Sequence, residues 1–227
     1  MIALNILLMF SGFCLADRVL TFTRLHSVYY FLHAVHNGFI VYYTWPDVYK
    51  TLTDFNSVAS VEPNYFALEL VFALHFYHIA LYYSKFRFDD WLHHVLMIGV
   101  ALPIGGVLPS GTLLGFSLFF TTGLPGGIDY FLLFLTRNNW LRRETEKRFN
   151  SWLAVWIRSP GCAAHAALTT AFVSIQKPSD VYPWYFSALG YVTAALNYWN
   201  GQYFMDQVVR DAAIVMAQRQ GTGAHAV

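Results

Sequence analysis

Apolar residues recur in seven long runs along this chain, near 1–17, 27–45, 63–84, 91–107, 111–136, 151–176 and 182–208. Each approaches the roughly 20 mostly apolar residues a helix needs to cross a bilayer's hydrocarbon. The longest polar connection, "PDVYKTLTDFNSVASVE" from 46 to 62, carries strand-breaking and capping residues and reads as a surface loop. The pattern predicts an all-α fold, a polytopic membrane helix bundle of about seven transmembrane helices. The first run, placed at 1–20, is short enough to resemble a signal peptide. It lacks the positively charged start of one, so it reads as a retained helix. Residues 21–210 read as the main membrane domain. Residues 211–227, ending "RQGTGAHAV", read as a disordered tail in which His225 has no role.

Composition agrees with a membrane solvent. The chain has 227 residues, 56% hydrophobic and 12% charged, against about a quarter charged in soluble domains. Aromatics reach 19%, many at the ends of the apolar runs, where interfacial belts lie. The net charge of +1 gives no footprint for nucleic acid. Cys14 and Cys162 sit inside apolar segments with no metal-binding spacing, which predicts free thiols.

Charge then sets an expected orientation. With seven spans, the first, third and fifth loops and the tail share a side. They hold Arg18, Arg24, Lys85, Arg87, Arg137, Arg142, Arg143, Lys147, Arg148, Arg210 and Arg219. The opposite side holds only Lys50 and Lys177. The positive-inside rule places the basic side and the C-terminus in the cytosol.

At 1.5 Å per residue, polar groups from separate runs fall at one depth, mostly within about 10–15 Å of the basic end. They are His33 and His36, His75 and His78, Asp129, Arg158 and Asn200, with His93 and His94 closer to that end. Ionisable residues in a membrane usually face a bundle interior or a wet cavity. A polar cavity open to the cytosolic leaflet is therefore expected. His33 and His36 share a helix face by their spacing of three, as do His75 and His78. Asp89 precedes His93 by one turn, and Asp90 precedes His94, so each carboxylate is placed to orient an imidazole. "FDDW" at 88–91 also fits a helix start with Asp89 as the cap. "TTGLPGGIDY" at 121–130 predicts a bent or broken helix at Pro125. Asp129 at mid-membrane calls for a cation or a proton, and Arg158 at matching depth is the expected partner. Pro160 is placed to open the next helix locally. Lone His165 reads as a core residue.

Several stretches together resemble the TLC-domain membrane proteins, the family that contains the ceramide synthases. "WLHHVLM" at 91–97 is similar to the paired histidine that opens a membrane helix in those enzymes. "GGIDYFLLF" at 126–134 resembles their aspartate segment through Asp129 and Tyr130, and "IRSP" at 157–160 resembles their arginine before a proline. "LNYWNGQYF" at 196–204, with Asn197 and Asn200, resembles the closing helix. An early histidine, His26 or His33, also fits. The chain departs where the synthases carry a histidine and a first aspartate, having Pro125 and Gly126, and where they carry a threonine, having Met97.

The resemblance implies a lipid-handling membrane protein of about residues 20–210 and an endoplasmic reticulum location. In that reading His93, His94 and Asp129 carry the chemistry. His33, His36, His75, His78, Asp90, Tyr130, Arg158, Asn197 and Asn200 surround a lipid. The partners are membrane lipids, with acyl-CoA and a long-chain amine if the chain is a ceramide-synthase-like N-acyltransferase. In that alternative His93 or His94 serves as base or nucleophile. A second alternative is a histidine-box di-iron oxidoreductase, for which the six clustered histidines are few and lack longer box spacings. No cofactor and no metal are otherwise expected. The orientation is open to a direct check: a C-terminal epitope tag in sealed, cytosol-out vesicles is expected to be cut by added protease, and protection of the tag reverses the assignment.

Overall fold

The computed structural model describes residues 2–176, 179 and 182–224, with side chains to residue 218. Lys177 and His225, which the charge and tail readings use, lie outside the described residues. The described residues are helical apart from short connections, with no strand among them. The elements are α1 (Ile2–Phe22), α2 (Val28–Thr53), α3 (Tyr65–Tyr82), α4 (Phe88–Leu96), α5 (Leu102–Val107), α6 (Thr112–Leu118), α7 (Leu124–Arg137), α8 (Arg143–Leu153), α9 (Ser159–Ile175) and α10 (Phe186–Ala224). π-helical turns join α4 to α5, α6 to α7, and α8 to α9.

Four helical stretches are long and apolar enough to cross a membrane: Ile2–Phe22, Tyr65–Lys85, Phe88–Val107 and Thr112–Arg137. α2, α8–α9 and α10 carry more polar residues, and many of those face inward. Buried positions include His33, His36, Asn37, Thr44, Asp47, Glu146, Asn150, His165 and Asn197. Large apolar side chains instead lie on the outside, with Phe22 at 90% and Trp184 at 83% exposure. Polar groups inside and hydrocarbon outside is the distribution a lipid solvent favours.

α2 is the hub, packing on α1, α3, α6 and α7, while α9 pairs with α10. Ile40 of α2 sits in an aliphatic cluster with Leu68, Val71, Leu102, Leu114 and Leu118. α1 is attached differently. Its Asp17 is buried and accepts hydrogen bonds from the Tyr77 and Tyr82 hydroxyls, each at 2.6 Å. Asn5 adds a bond to Glu69 at 3.0 Å.

Several element boundaries differ from the sequence reading; α8, for one, begins at Arg143 rather than 151. α2 continues through Thr53, so residues 46–53 are helical rather than loop. Pro46 removes its own N–H bond. The turn persists because Asp47, Val48 and Thr51 are buried there and Thr51 pairs with Thr112, oxygen to oxygen, at 2.8 Å. At the other end α10 runs to Ala224, past the boundary expected at 210.

The prolines explain the three π turns. Leu102, Leu124 and Ser159 directly precede Pro103, Pro125 and Pro160. Their N–H groups reach back five residues, to the carbonyls of Met97, Phe119 and Ala154. A proline ring collides with the carbonyl four residues before it. Widening the preceding turn from a four- to a five-residue reach removes that collision without ending the helix.

Close glycine contacts let these helices approach. A Cβ on Gly161 would stand 2.1 Å from Phe120 Cδ1, whereas one on Gly38 would meet nothing within 4 Å. Gly→Ala in a helix gains up to about 1 kcal/mol by propensity, but overpacking costs about 1–3 kcal/mol. Gly161→Ala is therefore expected to lower the melting temperature in detergent, while Gly38→Ala leaves it unchanged or raises it.

Candidate functional site

The site is built where α3, α4, α7, the π turn 154–158 and α10 meet beside α2. One polar cavity there is walled by His33, His75, His78, His93, His94, Asp90, Asp129, Tyr130, Arg158 and Asn200, among others. It holds about 1350 Å³ of empty space, its open mouth included. Ten of the twelve residues singled out from the sequence thus share one space.

The other two do not. His36 is buried, donates from Nδ1 to Asn37 Oδ1 at 2.9 Å and packs edge-on against Phe13. The spacing of three put it on His33's side, but the cavity ends between them. Asn197 instead lines a neighbouring apolar cavity, where it accepts from the Ser117 hydroxyl at 3.0 Å.

Hydrogen bonds to carbonyls fix several tautomers, because a carbonyl only accepts. His75 donates from Nδ1 to the Val71 carbonyl at 2.7 Å. Neutral His75 therefore carries a lone pair on Nε2, which faces His93 Nε2 at 3.3 Å. His93 must supply the proton of that contact, so neutral His93 keeps its lone pair on Nδ1. His33 likewise donates from Nδ1 to the Tyr29 carbonyl at 2.7 Å. His94 Nε2 lies 2.9 Å from His78 Nδ1, and Phe86 stacks on the His94 ring at 4.7 Å.

The expected carboxylate partners are not the ones formed. Asp89 accepts from the Tyr203 hydroxyl of α10 at 2.7 Å, leaving the cap role to Asp90, which accepts the Arg87 N–H at 2.9 Å. The imidazoles pair with one another because α3 and α4 bring His75 and His78 within reach of His93 and His94. Asp129 is not ion-paired to Arg158 either; it accepts from Asn150 Nδ2 at 2.6 Å. Arg158 instead lies over the Phe204 ring, 5.5 Å from its centre.

Sequence reading missed Tyr29, Asn37, Asn150 and Tyr203. Tyr29 contacts the rings of both His33 and His78 and walls the cavity. Its place one turn before His33 was a usable signal. Asn150 precedes the apolar run taken to start at 151, so its distance from Asp129 was invisible.

The apolar cavity adjoins the polar one. Its wall includes Leu68, Leu96, Met97, Leu102, Leu113, Leu114 and Leu118, and it holds about 960 Å³ of empty space, openings included. His165, buried as expected for a core residue, also faces it and bonds Thr169 at 3.1 Å. The two cavities share Asp89, His93, Thr121, Asn200, Tyr203 and Phe204.

At the basic end the polar cavity meets a wider vestibule, lined by Lys85, Arg87, Arg137, Arg143 and Lys147 together with Asp129, Glu146 and Asp211. The first, third and fifth connections thus lie at one end. Burial pushes the Glu146 carboxyl above its ordinary range, and the Lys147 ammonium 3.7 Å away partly offsets this. Among the described residues no three His, Cys, Asp or Glu side chains converge as metal ligands.

Asn150 holds the mid-cavity carboxylate, so its loss leaves that group unpaired at a cost of about 1–3 kcal/mol. Asn150→Ala is expected to melt earlier in detergent, and exposed Asn56→Ala to stay within about 0.5 kcal/mol. Equal melting of the two variants contradicts the assigned bond. No protein-family model, curated protein or solved structure matches this chain.

Proposed function

We propose that this chain is a multi-pass membrane protein that binds a single-chain lipid. The lipid's head sits among the histidines and its tail in the aliphatic cavity. The observation that carries this reading is the shared wall: His93, Asn200 and Tyr203 belong to both the polar and the apolar space. A space polar at one end and apolar at the other matches an amphipathic molecule, and ligand sites generally combine apolar walls with a few convergent polar groups. The sequence resemblance to TLC-domain proteins points the same way, towards lipid composition, binding or trafficking. In this reading the chain makes seven spans, with the vestibule at the cytosolic leaflet and the C-terminus in the cytosol. An endoplasmic reticulum location is part of the same proposal.

One observation favours a catalytic version, N-acyl transfer of ceramide-synthase type. His93 stands at the junction with a lone pair on Nδ1, secured through His75 and the Val71 carbonyl. A base there takes the proton of an attacking long-chain amine while a thiolate leaves the acyl carbon. The di-iron alternative finds no ligand set among the described residues.

Protein purified in mild detergent is expected to retain a lipid detectable by native mass spectrometry. Leu114→Trp, which fills the aliphatic cavity, is expected to lower that occupancy about tenfold, as a loss of roughly 1.4 kcal/mol does. Unchanged occupancy removes the proposed tail site. For the catalytic version, membranes given acyl-CoA and a long-chain amine are expected to form the amide, and His93→Ala with His94→Ala to abolish it.

A further inference from the structure

We infer that the lipid's head is a carboxylate and that Arg158 is its anchor, an inference that rests on the lipid-binding reading above. Arg158 ends the π turn 154–158 and reaches the wall of the polar cavity. It makes no ion pair among the described residues. Its Nε is buried without a hydrogen-bond partner.

Two of the four carboxylates that wall the same cavity are held by neutral donors. Asn150 donates to Asp129 at 2.6 Å and Tyr203 to Asp89 at 2.7 Å. No carboxylate lies within ion-pair distance of this half-buried guanidinium among the described residues, and a charge partly withdrawn from water without a direct partner is costly. An anionic ligand removes that cost.

The chemistry narrows the anion. A guanidinium presents parallel N–H groups in a planar fork that matches a carboxylate with two bonds. Asp89, Asp90, Asp129 and Asp211 also wall the cavity, and their combined charge disfavours a dianionic phosphate more than a monoanion. Phe204, under the guanidinium, belongs to the apolar cavity as well. A head at Arg158 therefore has its alkyl chain entering beside Phe204. From His93 to Leu108 the helix axis covers roughly 20 Å, and both residues wall the apolar cavity. That length suits a long-chain fatty acid.

The test compares palmitate, hexadecanol and hexadecylamine binding to the purified full chain in detergent. Wild-type protein is expected to bind palmitate about tenfold or more tighter than hexadecanol, the worth of one charge-assisted pair. Arg158→Gln is expected to bring the two within twofold while hexadecanol affinity stays, and Arg158→Lys to retain part of the preference. Retained hexadecanol binding reports that each variant is folded. If Arg158→Gln does not fold, the wild-type ratio alone decides. Equal wild-type affinity for palmitate and hexadecanol overturns the inference, as does a preference for hexadecylamine or a preference for palmitate that survives in Arg158→Gln. Binding of none of the three ligands instead overturns the lipid-binding reading itself.

Discussion

A carboxylate, a guanidinium and five imidazoles held inside a shell of apolar helices have to find their hydrogen bonds from one another or from whatever enters. Water is the usual partner of such groups, and lipid offers none. The structure meets this constraint with short reciprocal contacts: His75 with His93, His78 with His94, Asp129 with Asn150. Each contact crosses between helices, so each also fixes how those helices sit. Polar satisfaction and helix packing are here one requirement. Replacing any member leaves its partner stranded, and for that reason the polar set behaves as a unit.

The prolines supply the geometry that the polar set needs. A straight α-helix repeats its faces every 3.6 residues. A single π turn shifts the register of everything beyond it. Thr121 and Thr122 lie within one π turn and Arg158 ends another, and all three wall the cavity. The cost of each proline, one lost backbone bond, is therefore spread into a wider turn that re-aims side chains.

Much of this site was legible in the sequence, because a membrane makes polar residues conspicuous. The histidine pairs, Asp129, Tyr130 and Arg158 stood out against apolar runs, and depth counting brought them to one layer. Partner choice was not legible. Asp129 and Arg158 were matched by charge, yet an asparagine just outside the expected span reached the carboxylate first. Asp89 looked like a cap by position, but Tyr203 lies 114 residues away in sequence and bonds it. Such pairings depend on how α8 and α10 rotate about their own axes, and no periodicity in a single helix carries that information. The end of α2 was misplaced for a related reason: Pro46 reads locally as a stop, while the burial of Asp47 and Thr51 is a tertiary fact.

The arrangement also keeps the imidazoles and the guanidinium on separate elements. On one side, a relay from the Val71 carbonyl through His75 leaves the lone pair of a neutral His93 on Nδ1. On the other, Arg158 makes no ion pair among the described residues. If Asp129 had paired with Arg158, the cavity would hold a closed ion pair, and a polar head would find only imidazoles. With Asn150 on Asp129 instead, the guanidinium makes no direct ion pair beside the imidazoles among the described residues. A cation cannot serve as proton acceptor, and a neutral imidazole is a weak anchor for an anion. In the proposed reading, dividing those roles between α4 and the π turn before α9 would place a lipid head and an imidazole base side by side in one amphipathic cavity. α1 lies behind this wall: Asp17 holds Tyr82, whose ring is 4.9 Å from that of Tyr29 in the cavity. The first helix thus belongs to the same polar framework as the site.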